Sequence, residues 1–168
     1  QSQASRYATE RPEDIEMSRI FLAALVMAVS LAAKAGVQIQ HWVAQNLRDK
    51  NFSVAFAPAS EVARNLSGDC TEHGVLTAAM CRAVGVPARV VVGLVYADRL
   101  GGFGFHLWNE VYVNRRWVAI DASFDQDEVD AVHIKLSESS LDGVAPFETF
   151  LPIVRVLGKM SIDPQEIR

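Results

Sequence analysis

The sequence lacks several features that would assign it to a common functional class. It has only two cysteines, Cys70 and Cys81. On one helix they would lie about 16 Å apart along its axis, whereas a disulfide needs Cα atoms within about 7 Å. A cysteine-stapled scaffold is therefore excluded, and so few cysteines leave the compartment open. Positive charge is not in excess: 16 Lys and Arg stand against 20 Asp and Glu, for a net charge of −4. The basic residues are scattered, and nucleic-acid binding needs them clustered, so no nucleic-acid partner is expected. No apolar run is long enough for a membrane span. The longest, Ile20 to Ala33, is broken by Ser30, bracketed by Arg19 and Lys34, and short of the about 20 residues required. A buried core helix is expected there, with an oligomer-forming or membrane-facing helix as the alternative. The polar first residues show no signal-peptide pattern, which is compatible with a processed protein or a segment of a longer one.

Composition fits one globular domain, with 50% hydrophobic and 21% charged residues. Residues 1–11 read as a loose arm and 12–168 as a single domain. Pro12, followed by Glu13 and Asp14, suits a helix start. That pattern predicts a helix over roughly 12–35, stopping near Gly36, and a second over about 37–49. Asn51 to Ala59 reads as loop. Asp69 and Glu72 have capping-box spacing, and Val75, Leu76, Ala79, Met80 and Ala83 follow at helical period. Gly85 and Pro87 close that helix. Arg89 to Tyr96 reads as a buried strand. Ala97 to Gly104 reads as a Gly-rich loop without phosphate-binding spacing. Phe105 to Val113 and Arg116 to Ile120 read as strands joined by a tight turn at Asn114-Arg115. Val132 to Leu136 is a further candidate strand and Ser137 to Gly143 a turn region. A short helical or irregular stretch runs through Phe150, and Ile153 to Ile162 reads as a final strand.

Two metal readings fail on spacing. Cys70-x-x-His73 with Cys81 suggests zinc, but His41, His106 and His133 supply no second close pair of ligands. Asp125, Asp127, Glu128 and Asp130 lack the Gly and terminal Glu of an EF-hand loop, so a solvated loop is expected. No metal or cofactor is expected.

A different chemistry emerges from three separated residues. Cys70 falls in the first turn of the capped helix, where free N–H groups and the dipole favour a thiolate and could hold an oxyanion. A two-residue turn at Asn114-Arg115 pairs Val113 with Arg116, Tyr112 with Trp117, and Trp108 with Asp121. His106, Trp108, Glu110 and Tyr112 then share a face with Trp117, Ala119 and Asp121. His106 and Asp121 become diagonal neighbours at a Cα separation of about 7–8 Å, close enough to bond. Asp121 can fix the tautomer of His106, whose other nitrogen can take the Cys70 proton. His73, Trp108, Asn109 and Trp42 are candidate substrate-binding or supporting residues. Trp42 or the Phe52–Ser60 segment could also supply a second oxyanion donor. Glu110 needs solvent or a partner, for which Arg89 and Arg82 are candidates.

Four stretches resemble the transglutaminase-like superfamily, in particular its bacterial cysteine-protease branch. They are Gly68-Asp69-Cys70-Thr71-Glu72-His73, Gly85 to Val90, Phe105 to Val113, and Arg116 to Ser123, in the family's order and spacing. The resemblance implies an α+β fold of papain-like, transglutaminase-core type. N-terminal helices and a Cys-bearing helix would pack on an antiparallel β-sheet. It also implies Cys70 as nucleophile, His106 as general base and acid, and Asp121 as orienting carboxylate. Many relatives have Asp-Pro-Thr where this chain has Asp121-Ala122-Ser123, and a Gly in the hairpin turn; neither difference touches the three residues. The implied activity is acyl transfer on peptide or protein amides through a thioester. Water would resolve the thioester in a peptidase or amidase, the favoured outcome, and an amine would in a transglutaminase. A binding or scaffold module that keeps the fold without turnover is the alternative.

Overall fold

The computed structural model describes residues 12–48, 57–143, 146–156 and 158–162. Helix α1 (Pro12–Asn46) precedes a short α2 (Ala59–Asn65) and α3 (Cys70–Ala83). Strands β1 (Ala88–Ala97), β2 (Gly102–Val113), β3 (Arg116–Ile120) and β4 (His133–Ser139) follow, and a 3-10 turn leads into α4 (Leu151–Val156). The sheet order is β3-β2-β1-β4, and all its pairings are antiparallel. The fold is α+β, as the resemblance implied.

One face of the sheet carries the core. Val90, Val92, Leu107, Val111 and Ile120 pack there with Ala78 and Cys81 of α3, and Ala32, Ala35 and Ile39 of α1 lie against them. The opposite face carries charge. Glu110 pairs with Arg89 at 2.7 Å and with Lys135 at 2.8 Å, and Arg89 lies over the Trp117 ring. Arg82 turns elsewhere, to the Ala88 and Ser140 carbonyls.

The hairpin register is the expected one, with Val113 opposite Arg116 and Tyr112 opposite Trp117. Asn114 and Arg115 both have positive φ, 52° and 63°, as a type I′ turn requires. The capping box is also present: Asp69 accepts from Thr71 N, and Glu72 returns to Asp69 N.

Several expectations are corrected. Gly36 does not end a helix, and α1 runs unbroken to Asn46. A Cβ at Gly36 would stand 3.5 Å from Val111, so close packing on β2 outweighs the weak helix propensity of glycine. Among the described side chains of the Ile20–Ala33 stretch, expected as a buried core helix, Ala32 lies against the core but several large apolar ones do not. Leu22, Met27 and Leu31 are 62%, 63% and 67% exposed. At about 1.5 Å per residue α1 is about 52 Å long, and it outruns the strands it packs on. No helix among the described residues is long and apolar enough to cross a membrane. β2 begins at Gly102, inside the expected loop, because the β1 ladder continues to Ala97↔Gly102. β4 extends to Ser139, through part of the expected turn. The expected final strand is instead α4 and a turn, where Ile153 is buried against the core, because a short apolar run fits either state. The expected arm, and residues 49–56 of the expected second helix and loop, lie outside the described residues.

Candidate active site

The first turn of α3 is heavily hydrogen-bonded. Asp69 Oδ1 accepts from Thr71 N at 2.8 Å and from Thr71 Oγ1 at 2.9 Å. Buried Glu72 accepts from Asp69 N at 3.1 Å and Ala57 N at 3.0 Å, and lies 2.8 Å from Thr71 Oγ1, whose single proton it shares with Asp69. His73 folds back one turn, its Nδ1 donating to the Asp69 carbonyl at 2.7 Å. These bonds fix the angle at which Cys70 leaves the helix.

α3 lies unusually close to β2. A Cβ on Gly74 would fall 2.0 Å from Leu107 Cδ2, so any larger residue would have to displace the buried Leu107 side chain. Asn109 Nδ2 donates to the Gly74 carbonyl at 2.9 Å and ties strand to helix. Alternation along β2 then separates two tasks. Leu107 and Asn109 face α3, while His106 and Trp108 lie on the opposite face.

β3 stops at Ile120, opposite Asn109, and Asp121 turns away through a bridge to Gln126. The expected Trp108–Asp121 pairing therefore lies past the end of the ladder. The side chains still meet: His106 Nε2 donates to Asp121 Oδ2 at 2.6 Å, and Ser123 N donates to Oδ1 at 2.7 Å. Asp121 is fully buried. Burial opposes its charge, but the bonds from His106 and His133 hold its carboxyl well below the usual range. Because Nε2 carries the proton toward Asp121, Nδ1 of His106 is left with its lone pair.

Cys70, His73 and His106 line one cleft of about 240 Å³, with Val95, Phe105 and Phe124 among its walls. Trp108 lies outside that lining. It is buried beside the His106 ring, centroids 6.0 Å apart, and meets His133 edge-on at 5.2 Å. Asn109 acts on the helix side, as described. Trp42 is 42% exposed on α1 and does not line the cleft. Of the other expected oxyanion segment, residues 52–56 lie outside the described residues, and the Ala57 amide is taken by Glu72.

The ionisation of Cys70 differs from the helix-start expectation. Burial pushes its thiol up to about 12, with the adjacent Asp69 carboxylate adding to the rise. The Leu107 backbone amide opposes this by hydrogen-bonding the sulfur, and Asp121 and Glu72 push further upward. Counting back from the tight turn, that amide points to the side of β2 that β3 has already left. The helix start alone does not overcome the loss of water. Cys81 is buried in the core, and burial takes its thiol to about 11.

Sequence reasoning missed several groups around the site. His133 places Nε2 3.3 Å from Asp121 Oδ2 and Nδ1 2.8 Å from Asp130 Oδ1. Phe124 stacks on His106 with centroids 4.6 Å apart. The loop bearing Phe124 is fastened to α1: Gln40 Nε2 donates to the Asp121 carbonyl and to Asp125 Oδ1. His41 meets Asp125 at 2.6 Å and Asp127 at 3.0 Å. The acidic loop is therefore partly pinned rather than simply solvated. The one local signal was Gly93, since a glycine inside a strand marks a close approach or a bulge. A Cβ there would meet Trp108 at 2.6 Å, and the β1–β4 register shifts at this point.

His106, Asp121 and His133 bring three possible ligand atoms within 4.8 Å of one another. The 2.6 Å His106–Asp121 separation is a hydrogen bond. Ligands 2.0–2.1 Å from a tetrahedral zinc would stand about 3.3 Å apart.

Residues 23–122 match the model of the Transglutaminase-like superfamily. Among solved structures, the chain is similar to one described as a Putative Cysteine Protease from Cytophaga hutchinsonii, with TM-score 0.55 and 22% identity, covering 67% of this chain and 41% of that one. It is also similar to calcium-bound LapG of Legionella pneumophila, with TM-score 0.51 and 15% identity, covering 65% of each chain. This chain thus spans less than two thirds of either structure, and likeness at these identities shows the fold alone. No curated protein matches the chain.

Proposed function

The chain belongs to the transglutaminase-like superfamily, and on that footing we propose that it is a cysteine-dependent acyl-transfer enzyme acting on peptide or protein amides. One observation carries this reading. Cys70 and His106 share a cleft, and Asp121 holds His106 by Nε2, leaving Nδ1 as the acceptor. In the resting cleft the thiol is neutral. Its proton passes to His106 Nδ1 as sulfur attacks the amide carbonyl carbon, and Asp121 stabilises the imidazolium that forms. When the C–N bond breaks, His106 returns the proton to the departing amine. A thioester on Cys70 remains. Water deprotonated by His106 then attacks the thioester, releasing the carboxylic acid and restoring the thiol.

Hydrolysis is favoured over transamidation by the likeness of the chain to a structure described as a Putative Cysteine Protease. The apolar walls of the cleft, Val95, Phe105 and Phe124, suit an uncharged side chain on the acyl half of the substrate.

The test is digestion of an unbiased peptide library by the native chain, beside Cys70→Ala and His106→Ala. Cleavage is expected from the native chain alone. Cleavage that survives in Cys70→Ala would remove the thiol mechanism. Failure of the native chain both to cleave and to incorporate a primary amine would leave the scaffold reading in its place.

A further inference from the structure

We propose that His133 is a positioning residue, an imidazolium bridge between Asp121 and Asp130 that sets the charge under which Asp121 orients His106. The activity consequence rests on the function proposed above; the bridge itself does not.

The argument begins with donors and acceptors. Both ring nitrogens of His133 face carboxylate oxygens, Nε2 toward Asp121 at 3.3 Å and Nδ1 toward Asp130 at 2.8 Å. A carboxylate only accepts, and a neutral imidazole has one N–H. A neutral His133 would therefore turn a lone pair on one of its two carboxylates. The His133 side chain is 1% exposed and Asp121 is fully buried, so water cannot relieve a lone pair turned on Asp121, while the 2.8 Å contact to half-exposed Asp130 makes Nδ1 a donor there. Imidazolium donates to both. His41 also meets two carboxylates, but it is 42% exposed and water can substitute there. Burial works against a charged His133, yet its bonds to Asp121 and Asp130 raise its pKa above the usual value.

Packing fixes the ring in this place. Trp108 meets it edge-on at 5.2 Å, and Phe124 does so at 6.0 Å. Both rings also stack on His106, so the two histidines share one aromatic frame around one carboxylate oxygen. The remaining ionisable neighbours are accounted for. His106 on β2 lies 5.7 Å away, centroid to centroid. Lys135, two residues along β4, is engaged by Glu110 and Glu138. Beyond Asp121 stands the Cys70 thiol, which Asp121 disfavours as an anion.

A cation beside Asp121 offsets part of the pull of that carboxylate on His106. Loss of the cation leaves the field of Asp121 wholly on the His106 ring.

The experiment has two arms on the full chain. In the first, ¹⁵N-edited NMR follows the histidine rings of the native chain and Asp130→Asn. The bridge predicts His133 doubly protonated at pH 7.5, with its titration lowered by about one pH unit in Asp130→Asn. A singly protonated, neutral His133 in the native chain at pH 7.5 overturns it, whether or not the chain cleaves anything. In the second arm, the rate of Cys70 alkylation is mapped by mass across pH 4–9 in the native chain, His133→Gln and Asp130→Asn. The acid limb is expected to rise by about one unit in His133→Gln and less in Asp130→Asn. A uniform fall in rate with the limb unmoved would mean that His133 only fills space, and would overturn the positioning role. If His133→Gln does not fold, Asp130→Asn, altered at a half-exposed carboxylate, carries the same test.

Discussion

After burial, Asp69 contributes most to keeping Cys70 neutral, and Asp69→Asn isolates that charge from everything else the residue does. The cap should survive. Asp69 works through Oδ1, which accepts from Thr71 N and Thr71 Oγ1, and an asparagine offers the same oxygen. Asn and Asp are comparable N-caps, so stability should change by less than about 1 kcal/mol, mostly from the lost dipole interaction. Removing a like charge beside the thiol lowers its pKa by about one unit. At any pH well below 12 the thiolate population then rises about tenfold. Thiolate nucleophilicity falls as its pKa falls, with a slope of about 0.4–0.5, which returns roughly a factor of three. The net expectation is a three- to fourfold faster reaction of Cys70 with iodoacetamide between pH 8 and 10. Labelling is followed by mass mapping. An added small-molecule thiol serves as the reference, and Cys81, buried in the core, should stay unlabelled while the chain is folded. An unchanged or slower Cys70 rate, with the urea midpoint preserved, would refute the claim that Asp69 charge restrains the nucleophile.

Two further outcomes follow from the same structure. Both thiols are pushed above the usual value of about 9, Cys70 to about 12 and Cys81 to about 11. The folded state therefore keeps protons that the unfolded chain loses, so this stabilisation is complete below pH 9 and is lost as pH rises toward 11–12. Each thiol contributes a slope of at most about 1.4 kcal/mol per pH unit. Urea midpoints from pH 7 to 11 should fall, and fall less steeply in Cys70→Ala; equal slopes would contradict the burial argument. In the hairpin, Arg115 holds φ at 63° without glycine's freedom. Arg115→Gly should add about 1 kcal/mol of stability and raise Tm by roughly 2–4 °C, and a lower Tm would mean that the arginine side chain does work of its own.

The legible parts of this fold were those with local causes. A capping box and a helical period defined α3, and a two-residue turn with alternating strands set the register that brings His106 toward Asp121. His133 was hidden because its approach depends on β4 crossing to pair with β1, at a register shift beside Gly93. No pattern near residue 133 encodes that partner. Cys70 was legible as a helix-start residue, but its ionisation was not, since the walls of its cleft come from β1, β2 and the loop after β3. Gly36 read as a helix stop because propensity ignores Val111. Ile153 to Ile162 read as a strand because a short apolar run has no decisive period.

The fastening of α1 to the loop after β3 also has a consequence in time. Gln40 reaches Asp121 and Asp125 across 81 and 85 positions of chain. The β2–β3 hairpin closes over two residues, so it can form early, whereas the α1 contacts must wait for a long loop to close. During refolding, His106 and Asp121 should therefore come together before Phe124 is fixed over them. A half-folded chain would hold its acid and base ready while the wall of the cleft still swings open.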